Sequence, residues 1–223
     1  MKSKIKAIII SGVLALSTFF ISSYSVALKN PSESEYHLET GESNLMLVNK
    51  NNSLKSSYKP KELVNPNIHF DASATNEERF MTPDSAKAIE KLFKDARKDG
   101  IDFLGMSAYR SYDLQKDTYY NRIKSVGKKE ADKYVAKPGK SEHQTGLAID
   151  VTNEDRWFVK STDEAQWLAT NAHKYGFILR YPEGKQQITG VAYEPWHIRY
   201  VGEKVAKKIY DEQITLEEFL EKK

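Results

Sequence analysis

The chain is 223 residues long, 29% charged and free of cysteine, with a formal charge of +3. That length supports one domain with a sizeable core plus an appendage, and the lack of cysteine excludes disulfides, thiolate metal sites, a cysteine nucleophile and a lipid-modified cysteine. The charge excess is local. Residues 1–27 hold Lys2, Lys4 and Lys6 and no acid, so the remainder carries 31 basic and 31 acidic residues and lacks the electrostatic footprint of a nucleic-acid-binding surface.

After the three lysines the chain runs uncharged to Lys29. Ser25-Val26-Ala27 is a small-x-small stretch of the kind signal peptidase cuts, which marks residues 1–27 as a signal peptide. The uncharged run is also long enough for an uncleaved anchor. Either way the rest of the chain is expected outside the cytoplasmic membrane, secreted or held at its extracellular face, and touching the membrane only through that segment if it is uncleaved. Residues 28–44 are polar, contain Pro31 and Gly41 and show no apolar periodicity. They read as a flexible spacer reaching roughly 20–25 Å, and residues 45–223 as the domain.

"TPDSAKAIEKLFKDARKDG" predicts a helix with Thr82 as its cap, Pro83 in its first turn and Gly100 at its stop. Ala86, Ile89, Leu92, Phe93 and Ala96 form one apolar stripe along it. "IDFLGMSAY" reads as a strand, "SYDLQKDTYYNRIKSVG" as a helix begun by Ser111, and "KKEADKYVA" as a short helix ending before Pro138-Gly139. "GLAIDVT" reads as a buried strand, and "TDEAQWLATNAHKYG" as a helix capped by Thr162 and closed by Gly176. "FILRY" and "YEPWHIRYVG" read as strands of a hairpin around a Gly-containing loop, and Thr215 and Glu218 as a capping box opening a last helix. Irregular order with hairpin-type connections implies an α+β fold with a small, mostly antiparallel sheet flanked by helices.

Two stretches carry chemistry. Gly139-Lys140-Ser141 imitates the end of a phosphate-binding loop, but the pattern needs glycine at position 134, which is Tyr134, and a helix precedes the loop while a strand follows it. The nucleotide reading fails. His143 and Asp150, with Gly146 between them to allow close backbone approach, have metal-ligand character, and "YEPWHIRY" adds Glu194 and His197. Two imidazoles and a carboxylate with an open fourth position make a catalytic zinc shell, and a carboxylate left over suits a general base. Glu194 and His197 are three apart, which on a flat strand sets them on opposite faces. A kink at Pro195 is expected to turn both inward. Iron oxygenases with two His and one carboxylate use a tight H-x-D pair, whereas six residues separate His143 from Asp150.

"SAYRSYDLQ", "SEHQTGLAIDV", "NAHKYGFILRYP" and "EPWHIRYVG" together resemble the signatures of the D-alanyl-D-alanine carboxypeptidase family of zinc metallopeptidases, over about Leu45 to Asp211. "SEHQTGLAID" carries the family's S-x-H-x-x-G-x-A-x-D pattern, and "EPWH" its E-x-W-H. The resemblance implies zinc held by His143, Asp150 and His197, with Glu194 as catalytic base. It implies that Arg110 faces the substrate, binding its free carboxylate or the oxyanion, and that Gln115 and Ser141 help hold that carboxylate. The implied substrates are peptidoglycan stem peptides or precursors, a D,D-cut on pentapeptides with an L,D-cut on tetrapeptides as the alternative. The discriminating pocket is expected from residues 151–160 and 181–193. A non-catalytic zinc-binding module on the same fold is the rival of another class, and a pure binder has no need of the base Glu194. His173 reads as a helix-end residue and not a third zinc histidine, His37 and His69 have no partner pattern, Trp196 and Tyr200 read as packing or wall residues, and Lys204, Lys207 and Lys208 as a solvated face.

Overall fold

The computed structural model describes residues 43–221, so the signal or anchor reading and nearly all of the spacer lie outside the described residues. Among those described, no helix is long and apolar enough to cross a membrane. The core is a four-stranded antiparallel sheet flanked by helices, which is the α+β arrangement expected from the sequence. Its strands are β1 (Leu104–Ser107), β2 (Ala148–Thr152), β3 (Phe177–Leu179) and β4 (His197–Tyr200), in the order β1-β2-β4-β3.

Helix α1 (Pro83–Lys98) buries its predicted stripe of Ala86, Ile89, Leu92, Phe93 and Ala96. These side chains join Ile149, Val151, Phe177 and Ile198 from the sheet in the main apolar cluster. Thr82 occupies the cap position without capping, because its hydroxyl pairs with that of Ser85 at 2.8 Å, and that of Ser85 also reaches the Gly146 carbonyl. Elsewhere the caps form as read: Ser111 accepts from the Leu114 N–H at the start of α2 (Tyr112–Val126), and Thr162 from the Ala165 N–H at the start of α4 (Asp163–Asn171). The short helix α3 (Lys128–Tyr134) follows α2. The loop between β3 and β4 contains a single turn of helix, α5 (Gln186–Thr189).

A second apolar cluster lies where Ile178 of β3 meets α6 (Glu203–Glu212) and α7 (Leu216–Glu221), through Ala206, Ile209, Leu216 and Phe219. Thr215 and Glu218 exchange the two bonds of the expected capping box. Lys204, Lys207 and Lys208 are exposed. Gly176 takes φ +82° to end the turn after α4, and a Cβ there would lie 2.7 Å from the Tyr200 ring, so only glycine passes.

Two elements differ from the sequence reading. The strand predicted from Tyr193 begins only at His197, and Glu194 stands in an irregular stretch before the turn at Pro195 and Trp196. Pro195 therefore ends an irregular segment and does not kink a strand, which frees Glu194 from the alternation of side chains. Residues Glu142–Thr145, expected as open loop, form a 3-10 turn whose four polar side chains are all buried.

Candidate active site

The β2–β4 register sets Asp150 directly opposite His197, so both side chains leave the sheet on one face. His143 comes from the 3-10 turn just before β2. Gly146 ends that turn at φ +68° in the left-handed region, and a Cβ there would lie 2.9 Å from the Leu63 side chain. The turn is fixed by its own polar groups. Ser141 accepts from the His143 N–H, and the Gln144 amide reaches the carbonyls of Lys55 and Tyr58 at 3.0 and 3.1 Å.

These elements bring one ligand atom each from His143, Asp150 and His197 within 4.8 Å of one another. Asp150 Oδ1 lies 2.8 Å from His197 Nδ1, and Oδ2 lies 3.4 Å from His143 Nε2. The imidazoles are perpendicular with centroids 4.9 Å apart. The Nδ1 of His143 is 2.7 Å from the carbonyl oxygen of Ala108. A carbonyl only accepts, so Nδ1 carries the proton and Nε2 turns a lone pair toward the cluster. Donor set and tautomer fit zinc, with two nitrogens, one carboxylate oxygen and an open side.

The three ligand candidates titrate differently. Burial pushes the His143 pKa down and Arg110 adds to the effect, so this ring stays neutral. Burial opposes ionisation of Asp150, but the two imidazoles outweigh it and hold its carboxyl well below the usual range. His197 is also pushed down by burial, yet its hydrogen bond to Asp150 and the nearby carboxylates of Glu142, Asp150 and Glu194 win and raise it to about 9.

Glu194 is buried and its nearer oxygen lies 4.0 Å from His197 Nδ1, beside the cluster but not in it. Burial raises its pKa to about 8 against the pull of His197. Arg110 lies 3.7 Å from Asp150 Oδ2, and its Nε is buried with no partner among the described residues. Gln115 is buried too. Its Nε2 donates to the Ala136 carbonyl at 2.7 Å, which leaves one N–H and an unmatched Oε1. All seven residues expected at the site, namely Arg110, Gln115, Ser141, His143, Asp150, Glu194 and His197, line one cleft of about 620 Å³. Val159 and Lys160, and Tyr181, Val191 and Tyr193, line it from the two segments expected to shape the pocket. Arg122, Tyr134, Val135 and Ala136 form a further wall that the sequence reading missed. His173 lies away from this cleft, stacked on Tyr210 at 3.7 Å.

Behind the cluster is a buried ionic network that sequence reasoning also missed. Glu142 Oε1 receives Arg180 Nε and Arg199 Nη1, both at 2.7 Å, and all three side chains are fully buried. Arg180 also grips Glu217 of α7 with two bonds of 2.9 and 2.7 Å. Burial alone would raise the Glu142 pKa, but the two guanidinium charges hold it well below the carboxylate range. The available signal was an arginine embedded in each of the apolar strand segments "FILRY" and "HIRY".

Fold and cluster define a metal-dependent hydrolase site, with two imidazoles, one carboxylate and a second carboxylate held just outside them. The family model for VanY, D-alanyl-D-alanine carboxypeptidase, matches residues 78–203. The chain belongs to this family of zinc-dependent carboxypeptidases. The bifunctional D-Ala-D-Ala dipeptidase and carboxypeptidase VanXYC of Enterococcus gallinarum is 38% identical over 184 residues, covering 78% of this chain and 92% of that one. Among solved structures, the LdcB LD-carboxypeptidase superposes with a TM-score of 0.74 at 41% identity, covering 85% of this chain and 92% of that one. A point mutant of the vancomycin-resistance D,D-pentapeptidase VanY, in complex with Zn(II), gives a TM-score of 0.68 at 35% identity over 80% and 99% of the two chains.

The His197 pKa of about 9 has a measurable consequence for the metal-free protein. Binding of zinc at Nδ1 would displace one proton below that pH, while His143 and Asp150 would release none. Zinc affinity, measured by chelator competition, should therefore rise about tenfold per pH unit between about pH 6 and pH 8. A flat profile would show that His197 is already neutral there.

Proposed function

We propose that this protein is an exported zinc D-alanyl-D-alanine carboxypeptidase that removes the terminal D-alanine from peptidoglycan stem pentapeptides. The observation that carries the reading is the place of Glu194, buried 4.0 Å from a cluster ligand yet outside the cluster, in the cleft that also holds the unmatched Nε–H of Arg110. A base and an anion receptor thus flank one metal centre, as hydrolysis next to a free carboxylate requires.

When bound, zinc supplies Lewis-acid chemistry that acidifies a water and polarises the scissile carbonyl. His143, Asp150 and His197 hold it. Glu194 takes the proton of the attacking water and returns it to the leaving amine of D-alanine. Burial raises its pKa in the metal-free protein, and the charge of a bound metal would lower it again, toward a carboxylate that is ionised and able to take a proton. Arg110 offers its free N–H to the anion beside the metal, either the substrate carboxylate or the oxyanion. The Ser141 hydroxyl and the remaining N–H of Gln115 complete the carboxylate site, and the unmatched Gln115 Oε1 can accept an N–H of the peptide.

The base assignment makes a sharp separation. Glu194→Gln should retain zinc while turnover falls roughly 10²–10⁴-fold. Loss of zinc together with activity would make Glu194 a ligand and change the shell.

Export rests on Lys2, Lys4 and Lys6, the uncharged run after them and Ser25-Val26-Ala27. Fractionation of the expressing cell should find the folded domain outside the cytoplasmic membrane, with an amino terminus at Leu28 if the signal is cleaved. Recovery from the cytosol alone would contradict it.

A second reading, L,D-cleavage of tetrapeptides, is favoured by the greater structural likeness to an LD-carboxypeptidase. The two cuts differ in the residue before the scissile bond, whose chirality decides which wall its side chain meets. Mass spectrometry of defined stem peptides after incubation with the protein separates them. The D,D-reading expects the pentapeptide to lose one D-alanine. Trimming of the tetrapeptide with the pentapeptide untouched would establish the L,D-reading instead.

A further inference from the structure

The zinc shell has three candidates, but the atom that fixes one of them has no role in the chemistry so far. His197 Nε2 and Glu142 Oε2 are both buried without a hydrogen-bond partner among the described residues, and they face each other at 3.6 Å. That is beyond a formed hydrogen bond. Two orphaned groups, one able to donate and one only to accept, are costly when left apart in a dry interior. The division of labour on Glu142 is equally specific. Arg180 and Arg199 both bind its Oε1, and Oε2 is left directed at the imidazole.

In the metal-free arrangement Asp150 Oδ1 occupies His197 Nδ1 at 2.8 Å. Asp150 is ionised and only accepts, so Nδ1 carries a proton there; a metal ion bound at Nδ1 would displace it, leave the remaining ring proton on Nε2 and release the ring from Asp150. The ring then needs an acceptor on its far side, and Glu142 Oε2 is the one within reach. We infer that Glu142 is the outer-shell positioning residue of the metal centre: it accepts the Nε2–H of metal-bound His197, and Arg180 and Arg199 clamp it from behind to keep it ionised and aimed. The pairing fixes the tautomer and rotation of the ring and raises its strength as a ligand. Glu217, which holds the far side of Arg180, supports the network without touching the imidazole.

This inference rests on the zinc reading of the site, and the experiment separates their failures. Zinc affinity is measured by chelator competition on the wild type, Glu142→Gln and Glu217→Gln, beside thermal unfolding of each metal-free protein. Both substitutions remove a charge from the same buried network, so both should lower the unfolding temperature. Only Glu142→Gln should also weaken zinc binding, by about 10–100-fold, with Glu217→Gln within about threefold of wild type. Wild-type affinity in Glu142→Gln would overturn the inference, as would an equal loss in Glu217→Gln, which would mark general loosening. Should Glu142→Gln fail to fold, the zinc-loaded wild type decides through nitrogen-15 NMR of its histidines. A proton on His197 Nε2, slow to exchange and shifted downfield, supports the bond to Glu142, and metal on Nε2 overturns it. A wild type that takes no zinc overturns the parent reading first, and this one with it.

Discussion

The antiparallel register between β2 and β4 is the constraint on which the rest of the site depends. Asp150 stands opposite His197, and the neighbouring pair Ile149 and Ile198 points the other way into the main core. One alternation therefore seats core and ligands together. A slip of one residue would turn Asp150 and His197 into the apolar cluster, and the isoleucines into the cleft. The edge strand obeys the same rule through an irregularity: between Gly105 and Ser107 the β1 register shifts, so that Ser107, and not Met106, lies opposite Asp150. Met106 is left on the surface at 39% exposure.

The face of the sheet that carries chemistry is unusually charged for an interior. Asp150, Glu194 and Glu142 surround two imidazoles, and Arg110, Arg180 and Arg199 stand among them. Such groups stay inside only when each is matched, since removing one partner of a buried pair costs about 3–5 kcal/mol. Most are matched within the protein. Six buried side-chain atoms lack a partner among the described residues: Arg110 Nε, Gln115 Oε1, Glu142 Oε2 and His197 Nε2 lie at the cluster or in the cleft, while Gln144 Oε1 and His173 Nδ1 lie outside its lining. Polar capacity is thus left open in the cleft by Arg110 and Gln115, where a peptide would enter, and on the far side of the His197 ring, toward Glu142.

How far this was legible in the sequence follows from what each residue type ordinarily does. The stripe on α1, the caps at Ser111 and Thr162 and the box at Thr215 rest on local periodicity and local hydrogen bonds, which sequence spacing encodes directly. His143 with Asp150, and Glu194 with His197, were each weak signals alone, and took on metal-site character only when the two halves were read together. Glu142, Arg180 and Arg199 were not. A glutamate in a polar turn and arginines at strand ends normally face water, so burial is the last reading they invite. Their pairing joins positions 38 and 57 residues apart and exists only once the strands are assembled. The kink assigned to Pro195 went astray for a related reason. It took strand geometry for granted at Glu194, where the chain is irregular and the side chain is free to turn.

The same division between sheet and loop bears on specificity. Asp150 and His197 sit on paired strands, and His143 on a turn fixed by buried hydrogen bonds. The cleft walls come from separate, less regular pieces: the end of α3 with residues 135 and 136, residues 159 and 160, and the segment from 181 to 195. Two of these walls are joined by the ion pair of Lys160 with Glu183, in which both side chains are mostly exposed. A pair of that kind contributes at most about 1 kcal/mol. Backbone bonds tie them as well, from the Ala192 N–H to the Lys133 carbonyl and from the Glu194 N–H to that of Tyr181, so the cleft walls are held by groups separate from the zinc ligand candidates. The motifs around His143 and His197 build the ligand set and not these walls, and for that reason they carry no information about which peptide enters.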